Sequence, residues 1–127
     1  MNLKSAVQAL LGSAEDVVEQ RHADTIDPAD LTGFLLLDVR EDDEYLTQRI
    51  PGAISLPRSR LEMACVDCAP LTQHADKPVL VYCKSGRRSL LAAKTLRELG
   101  VENPISMAGG ITAWMAADKP VETGGSV

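Results

Sequence analysis

Cys83 stands at the head of the run Cys83-Lys84-Ser85-Gly86-Arg87-Arg88-Ser89. A thiolate, rather than a thiol, is the nucleophile, and it forms where positive potential surrounds the sulfur. Three cations, Lys84, Arg87 and Arg88, follow Cys83 closely. Gly86 lets the backbone turn inward, so that successive N–H groups can form an anion-binding nest. A helix starting directly behind the loop adds the positive end of its dipole. These features suit a thiolate that receives an anion. The bland alternative is a structural cysteine closing a buried strand, since cysteine is among the most buried residue types. An inert core cysteine, however, has no need of an inward-turning cationic loop.

Two chemistries fit a thiolate in an anion nest. One is hydrolysis of a phosphate ester through a cysteinyl-phosphate, which extends to arsenate reduction. The other is attack on the outer sulfur of thiosulfate or of a persulfide, leaving Cys–S–SH. Cysteine phosphatases place five residues between the cysteine and the arginine that clamps the phosphate. Here Arg88 comes one position too early, and Ser89 occupies the place of the clamp. The shorter loop favours the smaller cargo, sulfur.

Other residues have types that could matter. Asp38 and Arg40 flank the end of an apolar run, where they orient the loop by an ion pair or simply close the fold. Cys65 and Cys68 form a Cys-x-x-Cys. As a zinc site the pair lacks ligands, with only His74 nearby. It also reads as a redox pair, as resolving thiols for Cys83, or as incidental thiols in a loop. No metal or other cofactor is called for. Trp114 reads as core, Gly109 and Gly110 as backbone geometry, and His22 and His74 as surface residues.

The elements that must position Cys83 follow from pattern. Phe34 to Asp38 and Pro78 to Tyr82 are continuous apolar runs, the mark of strands buried on both faces of a parallel sheet. Cys83 directly follows the second. Asp24 to Ile26, Ala53 to Leu56 and Asn103 to Ser106 are further short strands. Asp27-Pro28 starts a short helix. Glu41 to Thr47 and Arg58 to Met63 permit helix. Ser89 can cap a helix running to Gly100, and Gly109-Gly110 leads into a last helix through Trp114 to Ala116. Strands alternating with helices predict an α/β fold around a central parallel sheet, with ligands off the carboxyl ends of its strands. Both Asp38 and Cys83 fall at such ends.

Composition bounds the rest. The chain has 127 residues, enough for one domain, with 45% hydrophobic and only 3% aromatic residues. A net charge of −5 disfavours nucleic acid and anionic membrane as partners. No apolar run reaches the length of a membrane span. Three cysteines are too few for a disulfide scaffold and fit a reducing, cytoplasmic setting. Residues 1–22 read as an amphipathic helical extension, 23–122 as the domain and 123–127 as a disordered tail.

Four stretches together resemble the rhodanese family, a resemblance that extends over Asp24 to Glu122. They are LLDVREDDEY (Leu36 to Tyr45), RIPGAISLP (Arg49 to Pro57), VYCKSGRRS (Val81 to Ser89) and MAGGITAWMAADKPVE (Met107 to Glu122). The resemblance implies a parallel sheet with helices on both faces, and an active-site loop, Cys83 to Arg88, whose amides surround a persulfide. It implies ping-pong transfer of sulfur from a small anionic donor, thiosulfate or a persulfide, to cyanide or a thiol, with a sulfur-accepting protein as a further partner. Cys83 is then the nucleophile. Lys84, Ser85, Gly86, Arg87, Arg88 and Ser89 form the binding loop, and Asp38 and Arg40 support it. The chain departs from the family at Arg49, where histidine is common. It departs again at Glu44 and Ser85, where the two-domain thiosulfate enzymes carry cations. Members that have lost the cysteine act as binding modules; this chain keeps it.

Overall fold

The computed structural model describes residues 1–73 and 76–124. Helix α1 (Leu3–Glu15) is capped by the Asn2 side chain, which accepts from the Ser5 N–H. Its expected apolar stripe divides. Ala14 is buried, with Leu11 and the following Val18 packed on the same core, whereas Leu3, Val7 and Leu10 are exposed.

Strand β1 (Glu19–His22) comes next, inside the segment expected to be helical extension. The strand expected at Asp24–Ile26 is instead a 3-10 turn, Ala23–Thr25. The shift has a physical cause. β1 is an edge strand with one neighbour, so its residues Glu-Gln-Arg-His stay mostly exposed and show no apolar alternation. A 3-10 turn over Pro28–Gly33, capped by the Asp27 carboxylate, leads into β2 (Leu35–Asp38). Helix α2 (Asp42–Thr47) has a capping box in which Glu44 accepts from the Glu41 N–H. Then follow β3 (Gln48–Arg49), β4 (Ile54–Ser55), a 3-10 turn at Arg58–Arg60, and the short helices α3 (Leu61–Ala64) and α4 (Ala69–Gln73). His74 lies outside the described residues.

The second half contains β5 (Val79–Tyr82), α5 (Arg87–Glu98), β6 (Ile105–Ala108), α6 (Gly110–Ala116) and β7 (Glu122–Thr123). β6 starts two residues later than the pattern suggested. β7 pairs antiparallel with β3, so Thr123 belongs to a ladder with Gln48, while residues 125–127 lie outside the described residues.

Five strands form one parallel sheet in the order β1-β6-β5-β2-β4. The period of two sorts its faces. Leu35, Leu37, Val39, Val79, Val81 and Cys83 join a core closed by α1, α3 and α5, through Ala14, Leu61, Leu90 and Leu96. Leu36, Leu80 and Tyr82 join the opposite core, closed by α6 through Ile111 and Trp114. The indole N–H of Trp114 donates to Pro120 O at 2.8 Å, which satisfies its polar atom inside that core. Among the described residues, no helix is long and apolar enough to cross a membrane.

Candidate active site

Cys83 leaves the carboxyl end of β5 on the face that α5 covers, and it is buried. The chain then reverses through Gly86 at φ +106°, a conformation that side chains resist. A Cβ on Gly86 would come 3.2 Å from Gly109 N. The reversal aims the loop's amides back at the sulfur. Gly86 N–H donates to Cys83 Sγ at 3.1 Å and Ser89 N–H at 3.3 Å. They are the N-cap and a first-turn residue of α5, so the positive end of a 12-residue helix meets the sulfur.

Ser89 was expected to cap this helix. Gly86 holds the N-cap position instead, and Ser89 is buried inside the first turn. Its hydroxyl donates to Gly86 O at 3.2 Å and lies 2.8 Å from the Ser106 hydroxyl. It can also accept from the Cys83 thiol at 3.5 Å. The cradle therefore has a partner for either form of the sulfur: an acceptor for S–H, and amide donors for the thiolate.

A second segment holds the loop from behind. Ile111 N–H and Thr112 N–H donate to Cys83 O and Lys84 O at 2.9 and 3.1 Å. With these carbonyls tied to α6, the loop is pinned by its outer side. This close backbone approach explains Gly110: a Cβ there would collide with the carbonyls of both Cys83 and Lys84.

Asp38 and Arg40 lie at the neighbouring strand end and bind mainly each other. Arg40 Nη2 donates to Asp38 Oδ2 at 2.7 Å, and Tyr82 Oη donates to the same oxygen at 2.7 Å. Arg40 also reaches Gln48 O, and Ile50 N–H donates to Tyr82 Oη. Burial works against the Arg40 charge, but the Asp38 carboxylate outweighs it, and the guanidinium is held more firmly protonated than usual. Burial, and then the Asp38 charge, push the Tyr82 hydroxyl strongly upward, so it stays a donor. This network fastens the turn after β2 to Tyr82, the residue before Cys83, rather than touching the loop.

The loop's three cations part company. Lys84 and Arg87 are exposed. Arg88 reaches across to α2 and donates to both Glu44 oxygens, at 2.8 and 3.1 Å. The hydrogen bonds from Arg88 hold the Glu44 carboxyl below its usual range, although burial opposes this. The same bonds hold Arg88 above its ordinary value, although burial opposes this.

Cys65 and Cys68 are not part of this arrangement. Cys65 lines an open groove of about 630 Å³ with Val79, Leu96 and Gly100. That groove lies toward the amino end of β5, and Val79 is four residue steps along the chain from Cys83, roughly 13 Å. Among the described residues, no group of three or more His, Cys, Asp and Glu is placed to hold a metal ion.

Sequence reasoning grouped Cys83 with its loop, and the structure sets the Gly86 and Ser89 amides on the Cys83 sulfur. It missed Ser106, whose signal was a lone hydroxyl in an apolar strand, since a buried polar group needs a partner. It also missed the backing by Ile111 and Thr112, a backbone contact for which only the glycine pair gave a hint.

Comparison with known proteins bears on this geometry. The family model for the Rhodanese-like domain matches residues 13–117. Protein slr1261 of Synechocystis is 41% identical over 86 residues, 68% of this chain; the match spans 45% of that protein, under half its length. Thiosulfate sulfurtransferase GlpE of Pseudoalteromonas translucida is 32% identical over 95 residues, covering 75% of this chain and 86% of GlpE. A solved structure from Rhodopseudomonas palustris, described as a protein of unknown function and possible tyrosine phosphatase, superposes with a TM-score of 0.79 at 30% identity. That superposition covers 91% of this chain and 93% of the other.

Proposed function

Because the chain belongs to the rhodanese family, we propose that it is a sulfurtransferase, moving sulfane sulfur from a donor such as thiosulfate to cyanide or a thiol through a persulfide on Cys83. The observation that carries this reading is the pair of amide donors, Gly86 and Ser89, on a cysteine sulfur at the start of α5.

In the first step the Cys83 thiolate attacks the outer sulfur of the donor. An S–S bond forms to Cys83, the donor's own bond to that sulfur breaks, and its electron pair leaves with sulfite, or with a thiolate when the donor is a persulfide. Cys83 then carries –S–S⁻, with one negative charge, as before. In the second step the acceptor attacks the outer sulfur, giving thiocyanate or a new persulfide, and the bond's electrons return to Cys83 as the thiolate. No net redox change occurs and no cofactor enters. The amides of Gly86 and Ser89 meet negative charge in every state, so the cradle needs no reorganisation between steps. Lys84 and Arg87 draw anions to the loop against the protein's overall charge of −5. Asp38 and Arg40 keep the neighbouring strand end in place. Three free thiols suit work in a reducing compartment, the cytoplasm, where a sulfur-accepting protein is also a fitting partner.

Cys83→Ser tests the assignment. Serine keeps the size and the hydrogen-bonding cradle but removes the nucleophile. The variant is expected to melt like the parent and to form thiocyanate from thiosulfate and cyanide at background rate. Near-parental turnover would exclude Cys83 as the carrier. Because one structural neighbour is described as a possible phosphatase, the parent is also assayed with p-nitrophenyl phosphate. Hydrolysis faster than sulfur transfer would overturn the argument from loop length.

A further inference from the structure

The fold uses only part of α1. Leu11 and Ala14 pack on the core, whereas Leu3, Val7 and Leu10 are 68%, 46% and 60% exposed and recur at helical spacing on one face. α1 and α5 lie side by side and run the same way. Arg97, in the last turn of α5, donates to Val17 O, just past the end of α1, at 2.9 Å. At the opposite end Arg87, the first residue of α5, joins Leu3, Lys4, Val7, Gln8 and Leu11 around an open notch of about 300 Å³. The exposed apolar end of α1 therefore stands beside the Cys83 loop. Arg87 follows Gly86, whose amide is 3.1 Å from Cys83 Sγ, so the Arg87 backbone lies within about 8 Å of the sulfur. The charge around the notch is opposite to that of the whole chain. Lys4, Lys84 and Arg87 are exposed, and the first acidic residue of the chain is Glu15, at the far end of α1.

We infer that the exposed face of α1 beside the Cys83 loop docks a protein sulfur acceptor, one whose thiol lies in an acidic segment with apolar side chains. The inference rests on the sulfurtransferase reading and deepens it by naming the kind of acceptor. Cyanide and small thiols need only the loop, whereas an apolar face outside it serves a partner large enough to span both. An apolar side chain of the partner fills the notch among Leu3, Val7 and Leu11, and its carboxylates meet Lys4, Lys84 and Arg87. The chain as a whole, at −5, repels an acidic protein, so the approach of such a partner is directed to this cationic face. The partner's thiolate then attacks the outer sulfur of the Cys83 persulfide, the bond to Cys83 breaks, and its electron pair returns to Cys83. No oxidant or reductant is consumed.

The experiment loads Cys83 with thiosulfate and follows its discharge to three acceptors. These are cyanide, a synthetic peptide with one cysteine flanked by leucine and glutamate, and its counterpart with lysine for each glutamate. The parent is expected to discharge to the acidic peptide about tenfold faster than to the basic one, a preference that shrinks at high salt. The double variant Leu3→Gln, Val7→Gln removes the apolar face at exposed positions. It should slow discharge to the acidic peptide about tenfold and leave cyanide unchanged. Lys4→Glu should slow the acidic peptide about threefold and speed the basic one by a like factor. Equal rates with the two peptides in the parent, or peptide rates that neither variant alters, would overturn the docking role. So would an equal loss with cyanide, since the residues would then act on the loop itself. A parent dimer in sedimentation that the double variant dissociates would overturn it in favour of a second copy on this face. Binding to phosphatidylserine vesicles that the double variant loses would overturn it in favour of a membrane. Failure of the loaded parent to discharge to cyanide would instead overturn the sulfurtransferase reading itself.

Discussion

Cys83 and the Cys65–Cys68 pair carry the same chemical group at opposite ends of one strand. Cys83 follows β5 and meets two amide donors, a hydroxyl and a helix N-terminus. Cys65 lies toward the other end of β5, beside an open groove, and its thiol donates to the Glu62 carbonyl at 3.4 Å. This groove lies away from the amides that meet Cys83. What separates the two sites is what contacts the sulfur, not the space beside it.

The comparison can be strained hardest at Asp38. This carboxylate is fully buried and holds the Arg40 guanidinium and the Tyr82 hydroxyl at the end of the sheet that Cys83 leaves, on the opposite face. Asp38→Ala would leave Arg40, whose side chain is 6% exposed, without its counter-charge. The expected loss is about 3–5 kcal/mol of stability, read from urea unfolding. A loss below about 1 kcal/mol would mean that Arg40 finds other partners and that the network does not fasten this end.

A smaller effect is expected at Gly86. Alanine at φ +106° is strained, and its methyl would press on Gly109 N at 3.2 Å. Gly86→Ala should cost about 1–3 kcal/mol and slow sulfur transfer, because the displaced amide is a donor to Sγ. Unchanged transfer in a folded variant would remove that amide from the mechanism.

How much of this was legible beforehand follows from the kind of interaction involved. The two central strands and α5 announced themselves because burial on both faces, or on one helical face, writes a periodic apolar pattern. β1 did not, because an edge strand of Glu-Gln-Arg-His is held by backbone pairing to β6, which leaves no trace in side-chain type. At the site, Cys83, Gly86 and the cations are local in sequence and were legible together. The tie from Arg88 to Glu44 spans 44 positions, and that from Ser89 to Ser106 spans 17; such pairings depend on the finished sheet order. Asp38 and Arg40 were recognised as a pair, but only the structure shows that they grip Tyr82 rather than the loop.

The central claim is that sulfur rides on Cys83 and on neither of the other thiols. Mass spectrometry after thiosulfate treatment tests it most directly, on the parent and on the Cys65→Ser, Cys68→Ser double variant. The expected result in both is a gain of one sulfur atom on the peptide holding Cys83, removed by cyanide, with no gain on the peptide holding Cys65 and Cys68 in the parent. Sulfur found on the Cys65–Cys68 peptide instead, or a double variant unable to load, would contradict the account.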